Sequence, residues 1–313
     1  MITTLPPFAA TAARWITEVH DATCGFFEAV DGRARFREDS WSRPGGGGGV
    51  SRVMTDGAVF EKAGVNRSVV TGGLEPGMAA RLALAAPLPD GARFFACGMS
   101  LVVHPRSPLI PTVHLNVRYF EIAGPGGDPV DAWFGGGTDL TPTWPLPEDA
   151  EHFHRVLRTT CERHHPAFYP RFKRWCDEYF RNTHRGGEAR GVGGVFFDHL
   201  RDGEAGLGLD ALHRFVDDIG RVLHAAYGPI VERRRGLPWG ERERALQSFR
   251  RGRYAEFNLL HDRGTSFGLQ SGARAESVLM SLPPVATWEY APVFAPGSDE
   301  ARLMDMLLPR DWA

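Results

Sequence analysis

The stretch "PTVHLNVRYFE", Pro111 to Glu121, constrains the fold more than any other part of the chain. Leu115, Val117 and Tyr119 alternate with His114, Asn116, Arg118 and Phe120. Successive side chains of a strand point to opposite faces. The segment therefore offers one apolar face and one face carrying an imidazole, an amide and a guanidinium. The plain reading of the polar face is that water covers it; the alternative is that it binds something. The preceding "SLVVHPR" places Ser100, Val102 and His104 on one strand face, and "PRSPLIP" is short enough to join the two segments as an antiparallel hairpin. That hairpin brings Ser100, His104, His114, Asn116 and Arg118 to one side.

"GAVFEKAGVN", "DAWFGGGTDL", the glycine-rich "RGVGGVFFDHL" and "GRYAEFNLLHDRG" also read as strands. "TAARWITEVHDATCGFFEAV" reads as an amphipathic helix. In "PEDAEHFHRVLRTTCERH", Phe153, Val156, Leu157, Thr160 and Cys161 recur with helical period, after a proline and acidic residues suited to a helix start. "YPRFKRWCDEYFRNT" continues as a helix, "LDALHRFVDDIGRVLHAAYGPIVERR" as one long helix, and "AESVLMSLPP" as a short one. The tract Gly45 to Gly49 reads as a flexible loop. Strands come in consecutive blocks with helices between them, the signature of an α+β fold with a mainly antiparallel sheet. A doubly wound sheet needs stricter alternation. No linker divides the chain, so residues 1–313 are expected to form one domain.

With 42% hydrophobic residues and a formal net charge of -2, the chain can bury a large core and carries no basic footprint for nucleic acid. Lys62 and Lys173 are the only lysines, which leaves few candidates for a lysine Schiff base. Cys24, Cys97, Cys161 and Cys176 are scattered without a Cys-x-x-Cys, which argues against a zinc ribbon or an iron–sulfur cluster and fits a reducing compartment. There is no signal-peptide pattern at the start and no apolar run of membrane-spanning length. The expectation is a cytoplasmic protein.

"RGVGGVFF" has Phe196 where a dinucleotide fingerprint needs its last glycine, and no P-loop, nucleophile elbow or zinc-protease motif is present. An enzyme of this kind is expected to work without an organic cofactor. "FGGGTDLTP" delivers Asp139 after three glycines, which either form a tight turn or let something bulky approach the backbone. Asp139 alone could equally cap a turn. Asp262 and Arg263 close "LLHDRG", and Arg274 follows a glycine in "QSGARAES". Arginines near glycines ask for an anionic partner, because an unpaired buried guanidinium is costly and a bidentate carboxylate pair is strong. The ligand expected from this pattern carries several carboxylates or phosphates.

At "HLNVRYFE", "WFGGGTDLTP", "RGVGGVFFDHL", "GRYAEFNLLHDRGTSFGLQSGARAESVLMSLPP", "GGGGGVSRVMTDGAVFEKAGVN" and "PRDWA", the chain resembles the oxygen-dependent coproporphyrinogen III oxidases over nearly its whole length. The resemblance implies a large antiparallel sheet flanked by helices on both faces, a homodimer, and oxidative decarboxylation of two propionates to vinyls with O2 as acceptor. It implies His114 as proton donor and Ser100, Asn116, Val117, Arg118, Gly272, Ala273 and Arg274 as substrate contacts, with Ala273 where the family usually has glycine. Asp139 and Asp262 match aspartates near the reacting ring; in that picture Asp139 accepts hydrogen bonds from the pyrrole N–H groups. His104, His114, His154 and His184 match histidines proposed to bind a divalent metal in some members, and Tyr254 to Glu289 matches a dimer-contact segment. The competing readings are a metal-dependent decarboxylase or oxygenase and a tetrapyrrole carrier without chemistry.

Overall fold

The computed structural model describes residues 8–74, 84, 88–270 and 274–313. The chain opens with helix α1 (Ala9–Asp31), which buries Trp15, Ile16, Val19 and Phe27 along one side. Strands β1 (Arg37–Ser42), β2 (Gly47–Thr55), β3 (Phe60–Gly73), β4 (Arg93–Pro105), β5 (Thr112–Ala123) and β6 (Pro129–Thr141) follow. Next come helices α2 (Pro147–Glu162) and α3 (Phe168–Tyr179), the short strands β7 (Arg181–Asn182) and β8 (Glu188–Ala189), and strand β9 (Gly193–Leu200). The rest is helical: α4 (Leu209–Arg221), α5 (Leu223–Ala226), α6 (Gly228–Arg234), α7 (Glu241–Leu260), α8 (Arg263–Gln270), α9 (Ala275–Leu279) and α10 (Asp299–Met306).

Seven strands form one wholly antiparallel sheet in the order β1-β2-β3-β4-β5-β6-β9. The expected β4–β5 hairpin is present, with Ser100 opposite Asn116 and Val102 opposite His114. Along β5 the two faces separate as the sequence pattern requires: Leu115, Val117 and Tyr119 are buried under α1 and α4, while His114, Asn116, Arg118 and Phe120 are half-buried on the other side. The fold is the α+β architecture expected, with the sheet covered on both faces.

Three expectations need correction. "GRYAEFNLLHDRG" is not a strand; it is mostly the second half of α7. Its Tyr and Phe residues favour strands locally, but Phe249, Arg253, Tyr254, Phe257 and Asn258 fall three or four apart and are buried together. The long helix expected from Leu209 is three, broken at Val222 and Tyr227; Pro229 near the start of α6 lacks the N–H that a continuous helix needs. The tract Gly45 to Gly49 is the β1–β2 hairpin: Gly46 and Gly47 take the left-handed φ of its turn, and Gly47 to Gly49 are already in β2.

The polar sheet face has its own cover. A strap made of α9 and the residues after it crosses β2 to β4. Ser277 Oγ meets Ser51 Oγ at 2.8 Å, Asn66 Nδ2 donates to Ser277 O at 2.6 Å, and Lys62 Nζ donates to Leu282 O at 2.7 Å. Met280 sits over Gly64, where an added Cβ would come within 2.9 Å of its methyl.

Candidate active site

Antiparallel register aligns the polar groups into rows. Asp39, Ser51, Asn66, Ser100 and Asn116 stand opposite one another across β1 to β5. One step along, Arg118 lies between Gly98 and Gly135; one step the other way, His114 lies opposite Asp139. His114, Asn116, Arg118 and Ser100 therefore share one face, as the hairpin reading required, and Asp139 joins them. Aromatic rings border the face: Phe94, Phe120, Trp133 and His199 form a continuous stack at one end. Phe180, Phe196 and Phe257 form a wall on the β9 side.

Arg118 donates to Asn116 Oδ1 at 2.7 Å and pairs with Asp198 of β9 at 2.8 Å. The glycine run of β6 makes this possible. A Cβ at Gly135 would lie 2.7 Å from the Arg118 guanidinium carbon and 2.6 Å from Asp198 Oδ1. What approaches that glycine is thus the chain's own ion pair. The Arg118 side chain stays one-third exposed, open to a further carboxylate.

His114 Nδ1 lies 2.8 Å from Asp139 Oδ1. Beneath it, Arg190 grips the same carboxylate: Nη2 reaches Oδ1 at 2.6 Å and Oδ2 at 2.8 Å. The guanidinium is held by Asn258 Oδ1 at 3.0 Å and by the rings of Phe180, Tyr254 and Phe257, 4.0–4.8 Å from its carbon. Burial alone would push the Asp139 carboxyl up, but the Arg190 charge and the His114 hydrogen bond outweigh it and hold it below the usual carboxylate range. Asp139 is 1% exposed with both oxygens engaged. The carboxylate stands beside His114 on the neighbouring strand, between that ring and the Arg190 guanidinium.

Other expected residues fall elsewhere. Val117 is fully buried on the opposite, helix-covered face, so only its backbone faces the strand neighbours. Asp262 accepts from Tyr179 Oη and from Thr265 N at the start of α8. Arg274 is tied to Asp39 at 2.8 Å on the outermost strand. Gly272 and Ala273 lie outside the described residues.

The four histidines expected as metal ligands are not assembled. His104 spends one ring nitrogen on Thr112 Oγ1 and the other on Ser281 O. His154 spends its two on Tyr169 Oη and Val192 O. His184 bonds His261 and Glu256 at the surface. Burial pushes His104 and His154 down to about 3, so both are neutral structural rings. Among the described residues no group of three or more His, Cys, Asp or Glu side chains converges on a point. The residues present do not fit that metal.

Sequence reasoning missed Arg190 and Asp198. The available signal was position: both belong to or directly precede β9, the strand that pairs with the Asp139 strand. Only the sheet order makes them neighbours of β5 residues.

A family model described as coproporphyrinogen III oxidase matches residues 11–312. The chain is 50% identical over 306 residues to the chloroplastic oxygen-dependent coproporphyrinogen-III oxidase of Glycine max, covering 96% of this chain and 78% of that protein. With the cationic face built from the same segments that the match spans, the chain belongs to the coproporphyrinogen III oxidase family.

Proposed function

We propose that the protein, acting as a single domain over 1–313, is an oxidoreductase that converts two propionates of coproporphyrinogen III to vinyls, giving protoporphyrinogen IX and CO2 in haem biosynthesis. The observation that carries this reading is the convergence of His114, Asn116, Arg118 and Ser100 on one sheet face bordered by aromatic rings. A flat apolar macrocycle with four carboxylates suits that combination. The rings offer stacking surface, and guanidinium groups offer charge-assisted hydrogen bonds to propionates.

Each propionate that becomes a vinyl loses CO2, a proton and an electron pair. The reduced macrocycle passes these electrons to O2, so no organic cofactor is required. Arg118 holds a propionate at the bed, with Asn116 and Asp198 fixing its plane. His114 moves the proton, and a positioned general acid–base of this kind contributes about 10²–10⁴ in rate. Arg274 stands ready for a second carboxylate at the far end of the polar row, where Asp39 now occupies it. Asp262 holds the α8 start that borders the site.

A homodimer is part of the proposal. Within Tyr254 to Glu289, Tyr254 is itself buried in the protomer, but Leu259, Leu260, Leu269, Leu279, Val285 and Trp288 are exposed apolar side chains that a second copy would cover. Sedimentation of the purified protein at micromolar concentration tests this. No described helix is long and apolar enough to cross a membrane; residence in the cytoplasm remains a proposal that cell fractionation decides, since the Glycine max relative is named chloroplastic.

The test of function is to supply coproporphyrinogen III under air and under argon, with and without a strong chelator. Production of CO2 and divinyl product under air only, unchanged by chelator, is expected. Product under argon, or activity that tracks added metal, would replace this reading with a different chemistry. Tight binding of the macrocycle with no CO2 in air would make the protein a carrier.

A further inference from the structure

We propose that Arg190, Asp139 and His114 form a buried positioning line in which Asp139 acts on His114 rather than on the substrate, so that Nε2 is the nitrogen His114 presents to the macrocycle. The inference rests on the proposed reaction only for the identity of the substrate; the placement of the proton stands on geometry.

An ionised carboxylate can only accept hydrogen bonds. Arg190 supplies a guanidinium fork to Asp139, the arrangement that most favours the charged form. The contact between Asp139 Oδ1 and His114 Nδ1 must then be an Nδ1–H donating to Oδ1. The second hydrogen bond that a ring nitrogen makes sets which tautomer is present, and here it leaves Nε2 to the face. Among the described residues no group takes Nε2, and His114 is 19% exposed where Asp139 is 1% exposed. The backbone of His114 is pinned as well: Thr138 Oγ1 donates to its carbonyl at 2.7 Å, and the Phe180 ring stands edge-on 6.0 Å from the imidazole.

The surroundings of Arg190 argue against a merely structural pair. A buried ion pair adds little net stability, because desolvation offsets most of the attraction. Yet this guanidinium is enclosed by three aromatic rings and a dedicated amide, Asn258. Every one of these contacts fixes the plane of the fork, and the fork fixes the carboxylate beside His114. Arg190 and Asp139 are thus positioning residues; His114 is the one member of the line that can meet the substrate.

The test reads the proton directly in unmutated protein. Full-length chain labelled with 15N-histidine, at a pH where His114 is neutral, is expected to give the Nδ1-protonated pattern for that ring, identified by its loss in His114→Asn. Asp139→Asn and Arg190→Gln are expected to move the ring toward the Nε2-protonated form. Asp139→Asn presents an amide whose N–H can donate to Nδ1. In Arg190→Gln the carboxylate loses the charged fork that fixes its plane, so its hold on Nδ1–H weakens and the Nε2-protonated form gains. Arg190→Lys, which keeps the charge, should retain the wild-type tautomer.

In the oxidase assay both disruptive variants should lower kcat by about 10²–10⁴ while KM stays within about threefold. Arg190→Lys should recover part of the loss. An Nε2-protonated ring in the wild type would overturn the proposal even if every variant failed to fold. So would a loss of kcat in Asp139→Asn with the tautomer unmoved. A large rise in KM in that variant with kcat intact would place Asp139 on the macrocycle instead. If the protein proves to have no oxidase activity, the spectral arms still report the line.

Discussion

At the scale of single residues, the site is a set of close approaches that only small or committed neighbours allow. Gly135 is the clearest. Gly135→Ala would push a methyl into the Arg118–Asp198 pair and deprive a propionate of its oriented fork. Charge-assisted hydrogen bonds contribute about 1.5–3 kcal/mol, so KM for coproporphyrinogen III should rise about 10- to 100-fold with the melting temperature little changed. Steady-state kinetics beside a thermal melt check this, and an unaltered KM would remove Arg118 from propionate binding. Arg118→Lys should resemble it, because a point charge cannot replace a planar fork. His104 and His154 make a different residue-level prediction. Both stay neutral in the fold down to about 3, against about 6.5 when unfolded. Between those values the unfolded chain binds protons that the fold excludes, so stability falls as pH drops through this window. The slope is about 1.4 kcal/mol per pH unit for each ring. Denaturant titrations from neutral to mildly acid pH should show it, and His154→Gln should flatten the dependence.

At the scale of elements, the central strands β3 to β6 and β9 were legible because alternation and short apolar runs are local signals, whereas β1 and β2 were not read as strands. β5 declares its two faces in sequence, and the loop before it is short enough to dictate the hairpin. α7 was not legible. Its Tyr254–Phe257 stretch carries strand-favouring residues, and what makes it helical is the burial of Arg250, Arg253, Tyr254 and Phe257 against β7, β8 and the Arg190 cluster, which no local window contains. The strap over β2 to β4 was visible only as a short helix stopped by proline; its seat on the sheet comes from distant partners. Lys62→Met should loosen it, since the half-buried ammonium is a charged donor to Leu282 O. Loss of that bond predicts roughly 10- to 100-fold faster backbone hydrogen exchange over 275–282, with β4 to β6 unchanged. Equal exchange in both proteins would mean that the strap is held elsewhere.

At the scale of the whole molecule, the antiparallel sheet is the device that turns scattered motifs into a site. Residues from "SLVVHPR", "HLNVRYFE", "FGGGTDL" and "EARGVGGVFFDHL" become neighbours only because β4, β5, β6 and β9 lie side by side. The dependence on O2, with CO2 and vinyl product tracking air, is the prediction that belongs to this scale, because it requires the entire bed and no single side chain reports it. The sequence by itself determined that one strand face is polar and cationic, that the fold is an α+β sheet, and which family's strings the chain carries. Those are properties of period, composition and order. Tertiary structure decided which polar groups on that face stay open and which are buried against one another. Arg190 and Asp139 lie 51 positions apart, and their union beside His114 is set by sheet register and by the aromatic packing of α3 and α7. Whether a carboxylate meets solvent or a guanidinium depends on that packing, and no periodicity in the chain encodes it.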